Sequence, residues 1–169
     1  MADFKIAVLI TISPSHEGGF QKNPNDHANW SSGKIGEGTL IGTKYGITAV
    51  DMPGVDIENL TPDQAVEYYR ERYWKPFYSQ INSQAIANKL FDLGVLFGVG
   101  TSVGILQLTL SVKVDHSFGP MTLAAINQAD ETSLLTSYKA NFVTHAFNVA
   151  TANPAERGNL KGWSTRINS

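Results

Sequence analysis

Cysteine is absent from the 169-residue chain, so neither a disulfide frame, nor a thiolate metal site, nor a thiol nucleophile can be built from it. The same absence leaves the redox compartment unread. Charge of one sign is also missing. Thirteen Lys and Arg stand against fifteen Asp and Glu, a formal net charge of -2, and no basic run could neutralise a row of phosphates, so nucleic acid is not an expected partner. A long apolar run is lacking too. Phe4 to Ile12 (FKIAVLITI) is the one candidate targeting segment. It is interrupted by Lys5, falls short of the about 20 residues that cross a bilayer, and leads to Pro14 without a small-residue cleavage site. It reads as an amphipathic first helix, and stable membrane insertion is not expected. The four histidines, His16, His27, His116 and His145, form no HExxH and no pair three or four apart on a helix. A zinc site would have to use His16 and His27, which read more simply as surface or polar-cluster residues. No metal or other cofactor is expected.

What the chain does hold is 42% apolar residues, enough to bury a core in a single domain of this length. Helical spacing runs over residues 2–13, over 62–74 after the capping Thr61 and Pro62, over 83–97, 103–112, 120–129 and 131–151, and over a shorter last segment, 154–167. Gly98, Gly100 and Gly104 are expected to bound the fourth of these on its upstream side. Residues 20–48 change to Gly, Asn, Ser and Lys. That is a long loop region, which in a small domain is usually functional or disordered; Trp30, Ile35, Leu40, Ile41 and Tyr45 argue for order, with a short hairpin around Lys34 to Tyr45. Strand patterns are scarce elsewhere. The fold class is therefore mainly α, with a small β or loop element near residues 30–48.

Carboxylates in that loop-rich part carry the candidate chemistry. Glycoside hydrolysis uses one carboxylic acid on the leaving oxygen and, in most families, a second carboxylate for the water or the sugar. Glu17, beside Gly18 and Gly19 at a helix end, suits the acid if burial raises its pKa. Taken alone it reads first as a solvated carboxylate next to a glycine helix stop. Asp26, nine positions on, reads alone as an Asx-turn residue, and Glu37, in Gly36-Glu37-Gly38, as an exposed turn. Thr43-Lys44-Tyr45-Gly46-Ile47-Thr48 is more informative. Two hydroxyls flank Tyr45 and Gly46, so a threonine could orient a water while Gly46 admits a sugar; a strand bulged at glycine is an equal reading. Trp30, Tyr45, Tyr69, Tyr73 and Trp74 are candidate sugar platforms, although Tyr69 and Trp74 fall on a helix face that is more often core.

Taken together and in order, HEGGF (16–20), NPND (23–26), GTKYGIT (42–48), YRERYW (69–74), LFDLGV (90–95), LQLTL (106–110), FGPMTLAAI (118–126) and NLKGW (159–163) resemble glycoside hydrolase family 108, the muramidases of phage endolysins and related prophage or "secretion activator" proteins. The resemblance spans nearly the whole chain. It implies a lysozyme-like helical fold in one domain, 1–169, with a catalytic lobe at 1–89 and a helical lobe at 90–169 resembling a peptidoglycan-binding segment. It implies cleavage of the β-1,4 bond between N-acetylmuramic acid and N-acetylglucosamine, with Glu17 as catalytic acid. The spacing of Glu17 and Asp26 repeats that of phage-type lysozymes, and Thr43 takes the place of their threonine.

Residues His27 to Gly42 separate Asp26 from Thr43, a longer step than common members show, so Asp26 and Glu37 both stand as the second carboxylate. Many members carry an asparagine near Leu96 and a glycine where His116 stands after Asp115. Trp30, Tyr45, Gly46, Thr48 and Tyr73 are the expected substrate contacts. Bacterial peptidoglycan is the expected partner, and the protein is expected to be a monomer, made in a host cytoplasm without a signal peptide and acting on the cell wall after release. A non-catalytic peptidoglycan-binding module and a metal-dependent amidase are the rival readings.

Overall fold

Apolar residues recurring at every third or fourth position wind the chain into seven α-helices in the computed structural model, which describes residues 1–11 and 19–169. They are α1 (Phe4–Thr11), α2 (Pro62–Tyr73), α3 (Gln84–Phe97), α4 (Val99–Thr109), α5 (Pro120–Gln128), α6 (Glu131–Ala152) and α7 (Leu160–Asn168). The only strands among the described residues are β1 (Thr43–Lys44) and β2 (Ile47–Thr48), paired antiparallel with Thr43 opposite Thr48. The mainly α, lysozyme-like class expected from the sequence is the one observed.

Local chemistry explains the helix ends. Thr61 and Gln64 form a reciprocal capping box at α2: the Gln64 amide N–H donates to Thr61 Oγ1 and the Thr61 N–H to Gln64 Oε1. Ser83 caps α3 by accepting from the Ile86 N–H, and Asp130 caps α6 by accepting from the Ser133 N–H. Two expectations shift. The helix expected from Val103 starts at Val99, with Gly100 and Gly104 inside it rather than before it. The last helical segment is split into a 3-10 stretch, Pro154–Asn159, followed by α7.

The chain divides into two compact units. One consists of Met1–Ala7 and Tyr73–Ser169. Its core gathers Ile86, Leu90, Leu93, Val103, Leu106, Tyr138 and Phe142, all essentially inaccessible to solvent. Trp74 sits here, partly buried and edge-on to Phe4, Tyr78 and Phe91, so its ring is largely engaged by the core it packs against. Helices α3 and α4 pack closely, with Gly94 lying against Val99 and Ser102. The Ser102 hydroxyl donates to the Leu90 carbonyl and lies 2.7 Å from the Tyr138 hydroxyl, and burial pushes the Tyr138 pKa well up. A buried ion cluster ties α7 to α3, with Arg166 Nε donating to Asp92 at 3.0 Å and Lys89 Nζ donating to the Arg166 carbonyl at 3.0 Å. Removing one member of such a cluster would strand a buried charge.

The second unit is Val8–Arg72. Its apolar interior is smaller, with Ile47, Ile57, Leu60, Ala65 and Tyr69 buried. Beyond helix α2 and the β1–β2 hairpin, its described residues 19–61 are mostly loop, ordered by hydrogen bonds.

Candidate active site

The loop unit is pinned where two distant segments pair. Gln21 and Thr43 exchange both backbone hydrogen bonds at 2.9 Å, and the Asn29 carbonyl accepts from the amides of Ile41 and Gly42. Gly42 is required there. Its φ is +109°, and a Cβ would lie 2.7 Å from the Gln21 carbonyl and from the Phe20 ring. A second antiparallel contact joins Trp30 to Leu40, so residues 30–40 fold back on themselves. The hairpin proper lies further on than the sequence suggested. Strands β1 and β2 are joined by Tyr45 and Gly46 with φ of +53° and +71°, the signature of a two-residue type I′ turn, and no bulge is needed. Helix α2 braces this turn, since the Tyr69 hydroxyl donates to the Tyr45 carbonyl at 2.8 Å and Arg72 donates to the Asp51 carbonyl at 2.9 Å.

Within this frame the structure brings two of the expected residues into one hydrogen-bonded set. Asp26 caps a 3-10 turn, His27–Asn29, with Oδ1 accepting from the Ala28 N–H at 3.0 Å. Its Oδ2 accepts from Gln21 Nε2 at 3.3 Å. Gln21 in turn meets Asn29 twice, Nε2 to Oδ1 at 3.1 Å and Oε1 from Nδ2 at 2.8 Å. The Thr43 hydroxyl donates to Asn29 Oδ1 at 2.7 Å. Asn29 is fully buried, and Asp26 and Thr43 are half-buried. Acceptors at the edge of such a network can receive a water or a sugar hydroxyl.

Other candidates lie outside this set. Glu37 stands on the exposed 31–39 turn, paired with Lys34 at 3.6 Å with both side chains more than half exposed, a pairing worth little. The Thr48 hydroxyl donates to Asp51 Oδ2 at 2.8 Å and accepts from the Asp51 N–H at 3.3 Å, which commits it to a turn. Trp30 is half-buried and its indole N–H donates to the Pro24 carbonyl, leaving the ring as its remaining recognition surface. Tyr45 is half-buried with Lys44 Nζ 5.5 Å from its ring centre. Tyr69 is buried and therefore core; Tyr73 is half-buried at the end of α2. Glu17 and His16 lie outside the described residues. Among the described residues no cluster of three His, Asp or Glu could hold a metal ion.

Sequence reasoning passed over Gln21 and Asn29. Both lie in a stretch rich in turn-forming residues, and nothing in the pattern separates a buried asparagine from its exposed neighbours Asn23 and Asn25.

Residues 11–98 match the family model for glycosyl hydrolase 108. The chain belongs to the glycosyl hydrolase 108 family. Residues 101–168 match a second model, described as a predicted peptidoglycan domain. Among solved structures, that of Brucella abortus SagA resembles this chain at 22% identity, covering 98% of this chain and 89% of that one with a TM-score of 0.73, a likeness of fold. No curated protein matches. As a family 108 member the protein is a glycoside hydrolase, and its second matched segment supports peptidoglycan as the substrate.

Proposed function

We propose that the protein is an N-acetylmuramidase that cleaves the β-1,4 bond between N-acetylmuramic acid and N-acetylglucosamine. Glu17, protonated, gives its proton to the glycosidic oxygen. Asp26 accepts a proton from a water that attacks the anomeric carbon, and the Thr43 oxygen helps to hold that water. A single observation carries this reading: Asp26 and Thr43, far apart in the chain, belong to one hydrogen-bonded set through Gln21 and Asn29, within the segment that matches the hydrolase family. Glu37, in its exposed turn, is the weaker candidate for the second carboxylate. Attack by water with Asp26 as base predicts inversion at the anomeric carbon. Trp30, Tyr45 with Gly46, and Tyr73 would contact the glycan.

The biological setting proposed on the family resemblance is a bacteriophage endolysin, a monomer made in the host cytoplasm and released onto the cell wall to lyse the host. Mass spectrometry of muropeptides released from purified peptidoglycan tests the chemistry. Wild type should create new reducing ends at muramic acid. Glu17→Gln should stay folded and lose roughly 10²–10⁴-fold in rate, Asp26→Asn should lose activity as well, and Glu37→Gln should keep it. The reverse pattern for the last two moves the base to Glu37, and full activity in Glu17→Gln ends the proposal. Proton NMR of the first-formed anomer checks inversion.

A binding role is the second reading, favoured by the match over residues 101–168. An open groove lined by Arg157, Leu160, Lys161, Ser164 and Thr165 offers cations and hydroxyls to a carboxylate-bearing glycopeptide. Peptidoglycan pull-down that survives Glu17→Gln, with no reducing ends formed by wild type, would make binding the sole function.

A further inference from the structure

Two backbone groups of Asn23 leave the amides of Gln21 and Asn29 one orientation each. The Asn23 N–H can only donate, and it meets Gln21 Oε1 at 3.0 Å. The Asn23 carbonyl can only accept, and it meets Asn29 Nδ2 at 2.9 Å. Gln21 therefore turns its Nε2 toward Asn29 Oδ1 and Asp26 Oδ2, and Asn29 turns its Oδ1 toward Thr43. An amide oxygen cannot donate, so the Thr43 hydroxyl must, and its single proton points inward at 2.7 Å. Only lone pairs remain on Thr43 Oγ1 for a further partner. Thr48, its neighbour across the hairpin, has its proton and a lone pair committed to Asp51.

We infer that Gln21 and Asn29 are positioning residues that set the polarity of the water site, an inference that rests on the reading of Asp26 and Thr43 as the water-holding pair. A water facing two acceptors donates one proton to the Asp26 carboxylate and the other to Thr43 Oγ1, which leaves an oxygen lone pair for the anomeric carbon. As the new C–O bond forms, Asp26 takes up one water proton; as the old C–O bond breaks, the leaving oxygen takes the proton of Glu17. A Thr43 hydroxyl free to rotate would donate to that water and compete for the lone pair. Because Asn29 is fully buried, no solvent molecule replaces a lost bond in the set.

The test is a set of kinetic cycles on soluble, uncross-linked glycan strands, with circular dichroism and melting to confirm folding. Gln21→Met, at an exposed position, and Asn29→Ala should each lower kcat by up to about 10²-fold with KM unchanged. Combined with Thr43→Val, each should cost less than the product of the single losses, because Asn29 acts through that hydroxyl and Gln21 acts through it in part, its other bond being to Asp26 Oδ2. Combined with Thr43→Ser, which keeps the hydroxyl, the full loss should return. If Asn29→Ala does not fold, the Gln21→Met cycle decides alone. Multiplicative losses with Thr43→Val, or a raised KM at unchanged kcat, overturn the inference while leaving Asp26 as base. Full kcat in Asp26→Asn or in Thr43→Val overturns the reading of the water site and the inference with it.

Discussion

The two units of this protein are held together by different physics. The unit of Met1–Ala7 and Tyr73–Ser169 buries large side chains such as Leu90, Phe91, Tyr138 and Phe142, and its stability rests on apolar area and close packing. The unit of Val8–Arg72 has few such residues and orders a long loop through directional bonds, many of them made by Asn, Gln, Ser and Thr. Packing tolerates many apolar sequences of the right volume. A hydrogen-bonded loop fixes which atom donates and which accepts, and that is the property a catalytic site needs. The candidate chemistry accordingly lies in the polar unit.

Substitutions ranked by effect should expose this division. Phe142, fully buried against Phe97 and Tyr138, should destabilise the protein by about 3–5 kcal/mol when changed to Ala, read by chemical denaturation, while the folded fraction keeps its rate of glycan cleavage. A matching fall in that rate would show that the two roles are not separate. Gly42→Ala places a methyl against the Gln21 carbonyl and Phe20 at a φ of +109°. It should cost about 1–3 kcal/mol and, unlike Phe142→Ala, reduce kcat in the folded molecule, because the pairing of Gln21 with Thr43 shifts.

Tyr45→Asn should act in opposite directions on the two properties. Asn tolerates the left-handed φ of +53° better than Tyr, so the melting temperature should rise, by up to about 1 kcal/mol in stability. Loss of the ring should raise KM for glycan strands. An unchanged KM would remove Tyr45 from the proposed sugar contacts.

The smallest effect concerns pH. Burial beside Phe97 and Phe142 holds the His145 imidazole below the ordinary histidine range. The unfolded chain thus takes up this proton at higher pH than the folded one. Stability from neutral His145 is complete above the ordinary pKa of 6.5 and declines as pH falls from there toward the folded value. His145→Leu should narrow the difference in melting temperature between neutral pH and about pH 5. An unchanged difference would assign the acid sensitivity of this range to groups other than His145.

Legibility followed the same division. The helices could be read because burial of one face imposes a period, and because Thr61 with Pro62 carries capping chemistry in a local order; the Ser83 and Asp130 caps come from the structure. The start of α4 could not. Gly98-Val99-Gly100 looks like a break, yet the glycine faces are used: the His116 ring packs on Gly104, its Nδ1 lies 3.0 Å from the Gly100 carbonyl, and His116 itself holds a φ of +60°. That contact joins positions far apart in sequence, and no local pattern announces it.

By itself the sequence determined the helical class and the cap of α2, and it named Glu17 as the candidate acid nine residues before Asp26, because each reading depends on neighbours within a few residues or on an ordered set of motifs. Only the tertiary structure decided that the hairpin turns at Tyr45-Gly46, that Thr48 is committed to Asp51, and that Asn29 joins Gln21 to Thr43. The physical reason is that a hydrogen bond is a relation between two atoms in space. The type of a residue states what it can donate or accept, and the fold alone selects its partner.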